Sequence, residues 1–153
     1  MIFYHVSPFS LQPGTRLKLN KGRICLATTP EQAIYWSVAL AESRPEFSTW
    51  YIYAVEVPDE IIVEDCQGHY HFETPGQKKL AKEVMPHTDP DGEVVLYEEV
   101  ASIKELLATV TSKELGKIGQ KIDEAVIWQE RDPLPILRLA WLKIRLNHLG
   151  CRR

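Results

Sequence analysis

The chain opens on an apolar triplet, Ile2-Phe3-Tyr4, that delivers a polar ring, His5, just ahead of the turn-prone stretch Phe9-Ser10-Leu11-Gln12-Pro13-Gly14. This predicts a short strand over 2–5 and a connection after it. Lys21-Gly22 marks a second turn, and 23–27 predicts a second short strand. Thr29-Pro30-Glu31-Gln32 then opens a helix, with Thr29 as N-cap, Pro30 at the first helical position and Gln32 closing a capping box. Ala33, Ile34, Ser37, Val38 and Ala41 give that helix one small, mostly apolar face, and it should end near Ser43-Arg44-Pro45. The run 50–57, aromatic and β-branched, is the strongest strand in the chain. Ile61 to Val63 predicts a short strand, and 65–91 reads as polar and irregular with a short helix over 77–84. Asp89-Pro90-Asp91-Gly92 is a turn, followed by strands over 93–97 and 101–106. The last third changes period. Leu115, Ile118, Ile122 and Val126 line a helix over 112–130, in spite of Gly116 and Gly119, and Leu137, Ala140, Trp141 and Ile144 line another over 136–149, started by Asp132 or Leu134. The pattern is α+β: a small mixed or antiparallel sheet, a capped helix after the second strand, and two C-terminal helices.

Length and composition narrow the class. At 153 residues, 44% apolar and 25% charged, the chain suits a single domain, 1–153, with a real core. The net charge of −3 gives no support to general nucleic-acid binding, which needs a basic field. No apolar run approaches membrane-spanning length, and the start lacks the basic region and cleavage site of a signal peptide. Cys25, Cys66 and Cys151 make no disulfide framework, so the expected home is a reducing cytosol, the cell's own or that of a host into which the protein is delivered.

His5 is the first candidate for chemistry. Phe3 and His5 share one face of an extended segment, and the plain reading of His5 is a core histidine bonded to a backbone carbonyl. Ser7 has an equally plain role as a turn hydroxyl. Yet Phe3-Tyr4-His5-Val6-Ser7, followed by Leu11, Pro13-Gly14 and Leu17, resembles the opening of ADP-ribosyltransferases, above all the small bacterial rifampin ADP-ribosyltransferases. The resemblance implies that His5 bonds the adenosine ribose of NAD and that the backbone of the next residue holds the nicotinamide amide. Val6 stands where that family has glycine, which keeps the backbone donor and acceptor but removes the freedom in φ.

A second block, 22–27 and then the capped helix with Ala33-Ile34-Tyr35-Trp36, is similar to the family's second strand and helix, a layout shared with poly(ADP-ribose) polymerases. Cys25 replaces the usual tyrosine there. The resemblance implies cofactor contacts from Val6, Ser7, Cys25 and Thr28, with Tyr35, or in second place Trp36, stacking on nicotinamide. Both aromatics are equally readable as packing residues of an amphipathic helix. A third block, 92–97, resembles the late strand of the same enzymes, where a glutamate bonds the ribose 2′-hydroxyl and steadies the cation formed as nicotinamide leaves. Glu93 is the matching residue, with Asp65, after the strong third strand, in second place. The likeness spans about 2–106 and leaves 107–153 as a helical extension. It implies NAD as cofactor and a protein, nucleic-acid or small-molecule acceptor, with no membrane partner. The alternatives are an NAD glycohydrolase and a degenerate module that binds NAD, ADP-ribose or a protein. RNA 2′-phosphate transfer, found on a related fold, needs a basic cleft, and the sequence shows no basic cluster.

Cys66, His69 and His71 are metal-binding types, but their spacing matches no structural zinc pattern, so no metal is expected and 65–71 reads as a polar loop over the cleft. Arg138, Lys143 and Arg145, with Arg152 and Arg153 beyond, read as a solvated helix face or as a surface for an acidic partner.

Overall fold

A computed structural model describes residues 1–59, 62–64, 70–74, 77–80, 93–96, 98–125 and 132–150. The elements are β1 (Ile2–Ser7), β2 (Ile24–Ala27), α1 (Pro30–Ser43), β3 (Thr49–Glu56), β4 (Ile62–Glu64), β5 (Tyr70–Thr74), β6 (Gln77–Leu80), β7 (Glu93–Leu96), β8 (Ser102–Thr111), α2 (Ser112–Asp123) and α3 (Leu134–Gly150). Five strands form an antiparallel sheet in the order β7-β2-β1-β3-β8, and β4-β5-β6 form a second antiparallel sheet. The α+β class expected from the hydrophobic pattern is therefore present, with the sheet wholly antiparallel among the described strands.

Strand alternation gives the main sheet a core on each face. Phe3 of β1 and Tyr53 and Val55 of β3 join Ile24, Leu26, Val94, Leu96 and Ile103 in one cluster, which Leu17 and Ala101 help to close. Tyr4 and Val6 face the other way, toward a cluster of Trp50, Ile52, Ala108 and Val110 with Ala33 and Ile34 of α1, Leu115 and Ile122 of α2, and Leu137 and Ile144 of α3. All three helices pack into this second cluster. Complete burial of a large apolar side chain such as Ile52 or Leu115 stabilises the fold by about 1.5–3 kcal/mol.

The starts of α1 and α3 follow the sequence signals, and that of α2 adds a cap at Thr111. Thr29 Oγ1 accepts a 3.1 Å bond from the Gln32 amide, with Pro30 in the first turn. Thr111 Oγ1 does the same for the Glu114 amide at 3.1 Å, which turns β8 directly into α2. Asp132 Oδ1 accepts from the Leu134 amide at 2.9 Å and starts α3.

Three expectations need correction. The stretch expected to be irregular over 65–91, including the loop over 65–71, holds strand β5 at Tyr70–Thr74, because it pairs with β4 on one side and β6 on the other. The strand expected over 101–106 continues to Thr111, because Tyr51, Trp50 and Thr49 extend the ladder across β8. The short helix expected from residue 77 is absent over Gln77–Leu80, which pair with β5 instead. Ladder bonds to a neighbouring strand outweigh the modest helix propensity of Gln and Lys there.

Candidate functional site

β1 and β2 begin as neighbours and then part. β1 pairs with β3 along its whole length, from Ile2↔Glu56 to Ser7↔Tyr51. With β2 it shares only the Tyr4↔Ala27 register pair. In an antiparallel strand, alternate residues turn their N–H and C=O groups to opposite sides. Past Tyr4, the side of β1 that faces β2 has no ladder, so backbone groups of residues 5–7 open toward the gap. A cavity of about 730 Å³ occupies it, lined by His5 and Val6 from β1, Ile24 and Cys25 from β2, and Trp36, Ala39 and Leu40 from α1. That volume lies in the range of small-molecule and cofactor sites.

His5 is held neutral. Burial pushes its pKa down to about 4, so at neutral pH the imidazole carries one donor nitrogen and one acceptor nitrogen. The ring has no hydrogen-bond or ion-pair partner among the described residues. The residue lines the cavity. Val6 sits in extended backbone. Lys21 is the one non-glycine residue with positive φ among those described, so Val6 carries no backbone strain. What Val6 adds is a side chain in the cavity lining.

The rim is cationic. Arg16, Lys18, Lys21 and Arg23 line the cavity, and no Asp or Glu does so among the described residues. Lys18 lies 3.7 Å from Glu99, whereas Arg16, Lys21 and Arg23 have no carboxylate partner among the described residues. A pair of turns sets these positions. Gln12-Pro13-Gly14-Thr15 closes with a 3.0 Å Thr15 N–H to Gln12 C=O bond, and Gly14 (φ 88°) supplies the positive φ of a type II turn. The loop is then fastened to β8 by Gly14 N–H to Ile103 C=O at 2.8 Å, and to the residue just before that strand by Leu17 N–H to Ala101 C=O at 2.9 Å. Asn20 and Arg23 exchange backbone bonds of 2.9 and 3.2 Å around Lys21 (φ 54°) and Gly22 (φ 81°), the pattern of a type I′ hairpin turn. Tyr53 ties down the loop's first part: its hydroxyl donates to the Phe9 carbonyl (3.0 Å) and accepts from the Leu11 amide (2.7 Å). The basic cluster that is not visible along the sequence is thus made by folding.

The remaining site expectations fall in different places. Ser7 is 6% exposed, and its Oγ accepts from the Phe9 amide at 3.0 Å, which is the turn role; neither Ser7 nor Thr28 lines the cavity. Tyr35 lines a separate groove of about 520 Å³ between α1 and α2, with Val38, Gly116 and Gly119. The α1 aromatic that reaches the His5 cavity is Trp36, one position further round the helix. Glu93 pairs in register with Ala27, itself opposite Tyr4, so its backbone lies two strands from β1 at the end where the strands still touch. Asp65, Cys66 and His69 lie outside the described residues, and among those described no group of His, Cys, Asp and Glu could hold a metal ion. No described helix is long and apolar enough to cross a membrane. Sequence reasoning missed the rim cations because Arg16, Lys18, Lys21 and Arg23 alternate with apolar residues and turns; the Gly14 and Gly22 turn signals were the available clue.

No family model, curated protein or solved structure matches the chain, so the geometry carries the functional argument alone.

Proposed function

We propose that the chain has the fold of the small ADP-ribosyltransferases, binds NAD between β1 and β2, and transfers its ADP-ribose to an acceptor with release of nicotinamide. The observation that carries this reading is the joining, in one cavity, of a neutral His5, unladdered β1 backbone and a cationic rim that no Asp or Glu lines among the described residues. Each part has a counterpart in a dinucleotide. The imidazole offers a donor and an acceptor to the two hydroxyls of a ribose. The backbone beside Val6 offers the same pair to a carboxamide. Arg16, Lys21 and Arg23 match a diphosphate through charge-assisted bonds. Trp36 supplies an aromatic wall, and takes the stacking role first given to Tyr35.

In the reaction, the bond from ribose C1′ to the nicotinamide nitrogen breaks and nicotinamide leaves with the electron pair. An acceptor oxygen or nitrogen forms the new bond to C1′ and loses a proton. A carboxylate that accepts from the ribose 2′-hydroxyl steadies the cation at C1′, and Glu93 is assigned that role, with Asp65 as the alternative.

The test is to incubate the protein with NAD and follow nicotinamide release and NAD binding together. The expected result is saturable binding with turnover, and a loss of about 10²–10³ in turnover for Glu93→Gln with binding retained, the scale of one preorganised electrostatic group. Turnover untouched by Glu93→Gln moves the role to Asp65, tested with Asp65→Asn. Binding without turnover makes the chain a binding module. No saturable NAD binding overturns the reading.

A further inference from the structure

Helix α3 has two apolar faces, and the fold uses one. Leu137 and Ile144 are buried, with Ala140 and Trp141 packed beside them. On the opposite side, Leu139, Leu142, Leu146 and Leu149 are 67%, 55%, 59% and 43% exposed. Their spacing of three, four and three residues is that of a coiled-coil seam, which stays on one side of a helix and receives knobs from a facing helix. Four exposed leucines in a row are more than the scattered apolar residues of an ordinary surface.

The flanks of the seam say what covers it. At 3.6 residues per turn, Arg138 and Arg145 fall on one shoulder of the leucine stripe and Lys143 on the other. Arg145 is fixed there by a 2.6 Å bond from Nη1 to the Leu107 carbonyl. No Asp or Glu occurs from Leu134 to Gly150, so nothing on the helix offsets these charges. We infer that α3 is a docking surface for an acidic amphipathic helix of a partner protein, whose apolar seam meets the four leucines and whose flanking carboxylates meet Arg138, Lys143 and Arg145. A second copy of the chain is the poorer occupant, because its own Arg138, Lys143 and Arg145 would face their like. An anionic membrane is poorer too: the stripe is narrow, the broader apolar face is already against the sheet layer, and the chain as a whole carries −3.

The inference stands apart from the proposed NAD site and is tested without NAD. The probe is a labelled synthetic helix of about three heptads with leucine along its seam and glutamate on both shoulders; the control has lysine on the shoulders. Fluorescence anisotropy should show saturable binding of the glutamate peptide that weakens with salt, at least about tenfold tighter than the lysine peptide. Leu142→Ser with Leu146→Ser should abolish it. Arg138→Glu with Lys143→Glu should reverse the preference toward the lysine peptide, a gain that damage to the fold cannot produce. Circular dichroism confirms that both variants are folded. Failure to bind the glutamate peptide, equal binding of the two peptides, a concentration-dependent dimer of the wild-type chain, or its binding to phosphatidylserine vesicles each overturns the inference.

Discussion

At the scale of single residues, His5 and Tyr53 show how one polar side chain becomes part of a site or part of its frame. His5 has a folded pKa of about 4 against an ordinary value of 6.5. Its sign is definite. Between those values the unfolded chain takes up a proton that the folded chain refuses, so stability falls as pH drops through that window and levels off below it. His5→Asn, neutral at every pH, should flatten that part of the urea-midpoint profile relative to wild type, and an NMR titration of the His5 ring should give a midpoint near 4. A midpoint near 6.5 would mean the ring is not desolvated. Tyr53 holds both the Phe9 carbonyl and the Leu11 amide. Tyr53→Phe leaves both backbone groups without that partner and should destabilise the protein by about 1–3 kcal/mol in chemical denaturation. Because this hydroxyl leads the loop that carries Arg16 and Lys18, the proposed NAD affinity should weaken as well. His5 was legible as a candidate from its place at the end of a short apolar strand. The role of Tyr53 was not, since its partners are 42 and 44 residues away in the chain.

At the scale of elements, the packing of α1 on α2 explains one of the two glycines that otherwise argue against a helix, Gly119, and leaves Gly116 without such a reason. A Cβ added at Gly119 would stand 2.8 Å from Val38 Cγ1, whereas at Gly116 it would meet nothing within 4 Å. The two substitutions should therefore move stability in opposite directions. Gly116→Ala gains helix propensity and should raise stability by about 0.5–1 kcal/mol. Gly119→Ala gains the same propensity but must push Val38 aside, an overpacking that costs about 1–3 kcal/mol and leaves a net loss. Thermal unfolding of the two variants beside wild type settles the matter; equal shifts would show that the helices do not approach this closely. Helix starts were readable from Thr29-Pro30 and from Asp132 because a cap is a local bond. The Gln77–Leu80 segment was misread because a ladder partner decides its state, and sequence propensity does not contain the partner.

At the scale of the whole molecule, a chain of net charge −3 concentrates four cations around one opening, and among the described residues only Lys18 has a carboxylate near it. Lys21 illustrates the tension this creates. Its φ of 54° suits Asn or Gly better than Lys. Lys21→Asn should therefore raise stability and, on the proposed reading of the cavity as an NAD site, weaken NAD binding, the trade expected where a binding charge occupies a position the turn would fill otherwise. Wild-type affinity for NAD should also fall as salt rises past about 0.1 M, where the screening length is about 10 Å, and the fall should be shallower for Lys21→Asn. Nicotinamide riboside, which lacks the diphosphate, serves as the control: a variant that loses affinity for both ligands equally has lost the cavity rather than a phosphate contact.

The sequence by itself determined the α+β class, the caps of α1 and α3, and the order of most strands and helices, because each rests on local periodicity or a turn signal. Tertiary structure decided the rest. It parted β1 from β2 after Tyr4↔Ala27, brought Arg16, Lys18, Lys21 and Arg23 to one rim, exchanged Tyr35 for Trp36 in the cavity wall, and left the Leu139–Leu149 seam of α3 uncovered. The physical reason is the same in each case. Where a strand stops pairing, and which of two apolar helix faces finds a core, depends on contacts between residues far apart in the chain, and those contacts exist only once the chain has folded.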